Sequence, residues 1–368
     1  MTQELVNNSV INLANDPIVN VHTEWDPLEE VIVGVVTGAA IPEWHVTLEA
    51  TMPDNQWDFY KNHGGKPFPE EQIKLANQDL AEFVHILEAE GVTVKRPEEI
   101  SFTRPYATMD WQVPGGLYGA MPRDILLVFG DLLIECPLAW RSRYHEINAY
   151  RPLLKDYFRK GARWVAAPRP ELKDEFYNYN YQEPASLEEL EYTITELEPT
   201  FDAADFIRCG KDIFCQRSHV TNAIGIEWLS RLLGDTYTVH TLEVNDTHPM
   251  HIDATFMPLA PGKLLINGER LKKIPPMFKD WDIFTAPEPC MSIDHTLYMT
   301  SRWINMNIIM LDEERVMVEK QEESIIQAFK DWGFKPIPCS FQNFNTFGGS
   351  FHCATLDVRR KGTLQSYF

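Results

Sequence analysis

The sequence predicts an α/β propeller, five strand–strand–helix–strand modules arranged around a central site. Three observations predict it. A helix that stops at glycine and runs into a strand recurs about five times, at a spacing of roughly 50 to 75 residues. Two of these copies follow a hairpin-like pair of strands. No G-x-G-x-x-G opens a helix and there is no phosphate loop, so nucleotide binding has no support. A doubly wound α/β sheet remains the alternative on pattern alone.

In chain order, residues 1–22 are polar and are expected to form a flexible arm, and residues 23–368 a single domain. Leu28 to Val36, apolar from Val31 on, reads as a buried strand. A loop rich in proline and tryptophan follows. Glu70 to Glu90 carries Ile73, Leu80, Phe83, Val84 and Leu87 at helical spacing, stops at Gly91, and passes to a strand at Val92. The same unit returns as Tyr150 to Phe158 with Gly161 and Trp164, as Ala223 to Leu233 with Gly234 and Tyr237, and as Glu322 to Trp332 with Gly333 and Phe334. A degraded copy is Pro276 to Trp281 followed by Ile283. The strand pairs are Ile125 to Glu135 and Asn307 to Val318.

Composition narrows the function. The formal net charge of −21 excludes a general nucleic-acid binder, which needs basic surface. No apolar run is long enough to span a membrane. The six cysteines form no C-x-x-C pair, so structural zinc is not expected and the thiols read as reduced. The first residues lack a signal core, and a cytoplasmic protein is expected.

Four clusters could carry chemistry. Cys353 ends the loop Asn343 to Ser350, in which Gly348 and Gly349 permit close backbone approach, and Arg359 and Arg360 beyond it could stabilise a thiolate. A buried, inert cysteine is the plain alternative. His251 and Asp253 alternate as on a strand and would face the same way, a candidate acid/base pair or a structural one. No further ligand stands at metal spacing beside them, so no metal and no cofactor is expected. Asp202 and Asp205 lie amid apolar residues and suggest a semi-buried carboxylate or a helix cap. Asp124 stands just ahead of a strand, to cap a turn or face a cavity.

Together these segments resemble the arginine:glycine amidinotransferase family of the pentein superfamily. The resemblance rests on Ala120 to Leu126, Phe201 to Arg217, Pro249 to Phe256, Phe351-His352-Cys353 and Asp357 to Tyr367, and extends over nearly all of the chain from about Glu24 onward. It implies the five-fold pentein fold, and L-arginine and an amine acceptor as partners. It further implies Cys353 as nucleophile and His251 as general acid/base, with Asp202 polarising the imidazole. Asp124 and Asp253 would grip the guanidinium, Arg270 would clamp the α-carboxylate, and Ser301, Thr300 and Tyr118 would complete the arginine site, Thr300 replacing the more usual serine. A homodimer is suggested by the resemblance alone.

Departures from the family pattern bear on the acceptor. His248 stands where glycine-using members usually carry asparagine, with Met250 beside it, and Ala354 replaces a bulky aromatic residue after the nucleophile. These point away from glycine and toward the members that amidinate larger amines in antibiotic and guanidine-toxin pathways. The expected reaction moves the amidino group of L-arginine, through an amidino-cysteine, to a primary amine of a natural-product precursor of saxitoxin type. Glycine as acceptor, or an arginine deiminase or hydrolase, is the alternative.

Overall fold

The computed structural model describes residues 17–291, 294–295, 297–299 and 301–368. Residues 1–16, most of the expected arm, and Thr300 lie outside these. Residues 17–22 pack against the domain: Val19 and Val21 are buried, Asn20 bridges to Arg359 and Val21 to Gly130.

Five separate three-stranded sheets form the frame. In each, the central strand has an antiparallel neighbour on one side and a parallel one on the other. The central strands are Leu28–Val33, Leu132–Glu135, Asp212–Cys215, Lys263–Ile266 and Arg315–Glu319. Four antiparallel partners immediately precede their central strand, namely Leu126–Phe129, Phe206–Cys209, Phe256–Ala260 and Ile309–Met310. The fifth is the last strand of the chain, Thr355–Arg360, which pairs with Leu28–Val33 and so joins the two ends of the described chain. Among the described residues no sheet closes on itself, and the strands form separate small sheets in place of a single doubly wound one.

Burial explains the pattern. The antiparallel and central strands are almost wholly buried; most of their residues are apolar, with buried charges such as Arg208 and Asp357 among them. The parallel strands are half-buried edges: Thr93–Lys95, Arg163–Ala166, Thr238–Thr241, Asp282–Thr285 and Lys335–Cys339. A helical element leads into each. These are Glu70–Ala89, Ile147–Arg159, Ala223–Leu233 and Glu323–Asp331, with the short turn Pro276–Phe278 standing in for the fourth module's helix. The sequence missed two strand pairs, at Phe206–Cys215 and Phe256–Ile266. Among the described residues no helix is long and apolar enough to cross a membrane, and all six cysteines are free.

Candidate active site

The chemistry-bearing side chains occupy one repeated position, just ahead of the antiparallel strand of each sheet. Asp124 precedes Leu126–Phe129, Asp202 precedes Phe206–Cys209, and His251 and Asp253 precede Phe256–Ala260. Asn307 precedes Ile309–Met310, and Cys353 precedes Thr355–Arg360. All five sheets thus contribute to one cluster. The Cys353 sulfur, a His251 ring nitrogen and an Asp124 oxygen lie within 4.8 Å of one another, all buried.

His251 has a positive φ of 59°, a conformation a residue with a Cβ rarely adopts. It leads into the 3₁₀ turn Ile252–Ala254, so the expected strand alternation of His251 and Asp253 is corrected. The turn does what the strand was expected to do, since both side chains line the same cavity. The His251 Nε2 lies 3.0 Å from Asp202 Oδ2, and Nδ1 lies 3.8 Å from Asp124 Oδ1. Asp202 occupies a helix N-cap position but makes no capping bond; its carboxylate meets the imidazole and Arg143 instead. Burial disfavours a charged His251 ring, yet Asp124, Asp202 and the Cys353 sulfur outweigh it and hold the ring well above the usual histidine range.

Cys353 is held from two sides. Asn307 Nδ2 reaches its sulfur at 3.0 Å and Asp253 Oδ2 at 2.8 Å, while Asn307 Oδ1 accepts from the Ser350 and Cys353 amides at 3.0 and 3.1 Å. The sulfur lies 3.3 Å from Asp253 Oδ2. Burial and the Asp253 charge push the thiol up to about 12, against the hydrogen bond from His251. Arg359 and Arg360 do not stabilise it, a second correction: Arg359 pairs with Glu29 at 2.8 Å and Arg360 with Asp357 at 2.8 Å. The glycines ahead of the thiol serve close approach, for a Cβ on Gly349 would stand 2.5 Å from that of Cys353. The same loop is pinned by Asp79, which accepts from the Asn343 and Phe344 amides at 2.8 and 3.1 Å.

Behind His251 lies Arg143, fully buried, which the sequence reading missed. Its guanidinium pairs with Asp124 at 2.9 Å, Glu146 at 2.9 Å and Asp202 at 3.3 Å. Two carboxylates so close would repel; Arg143 lets both stay beside the imidazole. A buried Arg with Glu three residues on was the available signal, but nothing in sequence tied it to residues 124 and 202.

The cluster opens into a cavity of about 390 Å³. Cys353, His251, Asp253 and Asn307 form its floor, and Arg270, Ser301, His248 and Met250 stand on its walls. Arg270 is fixed by Asp246 at 3.0 Å and donates to the Ser301 Oγ at 3.0 Å. His248 is half exposed, with Nε2 3.5 Å from Glu183. Four of the described expected residues are not on the lining. Asp124 lies 3.8 Å from His251 within the cluster that includes the Cys353 sulfur, Asp202 holds His251 at 3.0 Å, Tyr118 packs its ring 5.7 Å from the Arg143 guanidinium, and Ala354 is buried in the core. A thiol beside an imidazole, with carboxylates below and a cation on the wall, suits covalent chemistry on a cationic planar group carried by an anionic body.

No protein-family model matches the chain. The chain is 58% identical over 346 residues to the L-arginine:L-lysine amidinotransferase of Pseudomonas savastanoi pv. phaseolicola, covering 94% of this chain and 95% of that one. The chain belongs to the amidinotransferase family. It is accordingly a transferase of amidino groups. The mitochondrial glycine amidinotransferase of Danio rerio is 47% identical over 355 residues, 94% of this chain and 84% of that one. Among solved amidinotransferases, SxtG of the saxitoxin biosynthetic pathway of Microseira wollei superposes with a TM-score of 0.89 at 52% identity, over 95% of this chain and 99% of that one. The inosamine-phosphate amidinotransferase StrB1 of Streptomyces griseus gives 0.87 at 35%, with the same coverage. Dimethylarginine dimethylaminohydrolase shares the fold alone, at 15% identity and a TM-score of 0.54.

Proposed function

We propose that this amidinotransferase takes the amidino group of L-arginine onto Cys353 and passes it to a primary amine of a natural-product precursor, releasing L-ornithine. The observation that carries the reading is the convergence of Cys353, His251 and Asp124 within 4.8 Å beside a cavity walled by Arg270. Arginine binds with its α-carboxylate on Arg270 and Ser301. Its guanidinium lies between Asp253 and Asp124, with the central carbon over the sulfur. The bound cation offsets the carboxylate charge that opposes thiolate formation. Thiolate attack forms the C–S bond. His251, held by Asp202, then gives a proton to the bridging nitrogen, the C–N bond breaks, and ornithine leaves. An amidino-cysteine remains. An incoming amine attacks it, His251 takes the amine's proton, and the thiolate departs, which gives ping-pong kinetics. The five sheets, each giving a residue to the site, support a five-bladed propeller around it.

For the acceptor, an amine larger than glycine is supported by His248 and Met250 on the cavity wall and by the likeness to SxtG. A saxitoxin-type precursor is the first reading. L-Lysine is the second, favoured by the 58% identical relative that carries lysine in its name. The deciding experiment mixes the protein with arginine and follows ornithine release and the mass of the Cys353 peptide, then screens glycine, L-lysine and larger amines. Ornithine and an added amidino group on Cys353 are expected. Citrulline with ammonia would establish a deiminase instead, and no product with any amine would end the transferase mechanism described.

A further inference from the structure

His352 precedes the nucleophile, yet its ring turns away from the cavity and is 2% exposed. Both ring nitrogens meet carboxylates. Nδ1 lies 2.8 Å from Asp253 Oδ2, and Nε2 lies 3.3 Å from Glu24 Oε2. Glu24 is itself immobilised, since Arg208 grips its two oxygens at 2.7 Å each and Arg208 is held in turn by Asp357 at 3.0 Å. Asp357 also takes Arg123 and Arg360, each at 2.8 Å, and Arg123 Nε reaches the His352 carbonyl at 3.3 Å. The ring is thus one link between a rigid ionic cage and the floor of the cavity.

At the other end of the link, the hydrogen bonds described for Asp253 all fall on Oδ2, from Asn307, His352 and Cys353. That leaves Oδ1 for a nitrogen of the substrate. A carboxylate rotates freely about its last bond unless one oxygen is fixed, and the partner that fixes it decides where the other points.

We propose that His352 is a positioning residue of the transfer reaction: by bridging Glu24 to Asp253 it aims the free Asp253 oxygen at the substrate guanidinium. The inference rests on the reading that Asp253 binds that guanidinium. It assigns a role to a side chain that neither touches substrate nor exchanges protons with it.

Two conservative variants separate this role from mere packing. In His352→Asn the amide nitrogen falls near the place of Nδ1 and keeps the donor to Asp253. In His352→Gln it falls near the place of Nε2 and keeps only the bond to Glu24. The intact chain and both variants are assayed for ornithine release across arginine concentrations, with circular dichroism and thermal melting to establish equal folding. His352→Asn should stay within about threefold of the parent in kcat/KM. His352→Gln should lose on the order of 10- to 100-fold, mainly as a raised KM for arginine, the scale seen when a ligand's supporting partner is removed. Equal activity in the two variants, or a loss confined to His352→Asn, overturns the proposal. A parent protein that releases no ornithine overturns the underlying reading and the proposal together, and so differs from a failure of the bridge alone. Should either variant melt early, the comparison is repeated below that variant's melting range: the raised KM for arginine in His352→Gln and its absence in His352→Asn are expected there too, and equal KM values overturn the proposal.

Discussion

Two ionic networks flank the cavity, and they differ in what surrounds them. Beneath Cys353, Glu24, Arg208, Asp357, Arg123 and Arg360 form a cage whose members are 2% exposed or less. On the cavity wall, Arg270 pairs with Asp246 and Ser301 at side-chain exposures of 14% and 11% for the ion pair, and His248 faces Glu183 at 40% and 63%. The cage joins strands and connections from distant parts of the chain. The wall is made of loops. Buried charges tolerate no alternative geometry, because each must keep its partner or carry an uncompensated desolvation cost. The half-exposed His248–Glu183 pair is replaceable by water and costs little to break, and the Arg270–Asp246 pair keeps more access to water than any member of the cage. The dry network therefore fixes the position of the reacting atoms, while the wet one is free to vary with the substrate.

That contrast can be broken first at Arg208. Arg208→Met strands Glu24 and Asp357 in the core and should cost about 3–5 kcal/mol, read as a lowered urea midpoint. A loss under about 1 kcal/mol would put the cage in the same class as the wall.

Acid should act on the cage next. Arg208 and the hydrogen bond to His352 overcome burial and hold the Glu24 carboxyl well below its usual range; Arg123, Arg360 and Arg208 do the same for Asp357. Both pKa values are lower folded than unfolded, so their stabilisation is complete above the unfolded values near about pH 4 and is lost as pH falls below. Urea midpoints should drop steeply below about pH 4 in the parent and less steeply in Arg208→Met. A parallel decline would remove the cage as the cause.

At the wall the order of effects reverses. Arg270→Met leaves the mostly buried Asp246 without its partner and should cost about 1–3 kcal/mol of stability, less than Arg208→Met. Through lost α-carboxylate binding it should lower kcat/KM for arginine by about 10- to 100-fold. Equal ornithine release at low arginine concentration would take Arg270 out of the donor site. The smallest effect belongs to His248→Asn. The arginine half-reaction should be unchanged, and the preference between glycine and larger amines should move by on the order of threefold. An unchanged ratio across the amine panel would make this loop irrelevant to acceptor choice.

Much of the frame was legible in advance. The helix Ala223–Leu233 matches its expected bounds, and Glu70–Ala89 ends one residue early, because helical periodicity and a terminal glycine are local signals. The strand pairs Phe206–Cys215 and Phe256–Ile266 were not read, since strands of four or five residues buried on both faces show no clean alternation of apolar and polar positions. Cys353, His251, Asp202, Asp124 and Asp253 were named from the sequence and meet in one cluster. Arg143, Asn307 and the Glu24–His352 link were not named. Their neighbours in sequence are ordinary, and only packing reveals what they touch.

The order of strands and helices, and the residue types standing just ahead of the inner strands, followed from the chain itself, because each depends on a few neighbouring side chains and on hydrophobic period. Which charges face one another did not. Glu24 reaches His352 across 328 positions and Arg208 across 184. Contacts at that separation are decided by how whole sheets pack, since a buried charge is tolerated only where the completed fold delivers its partner.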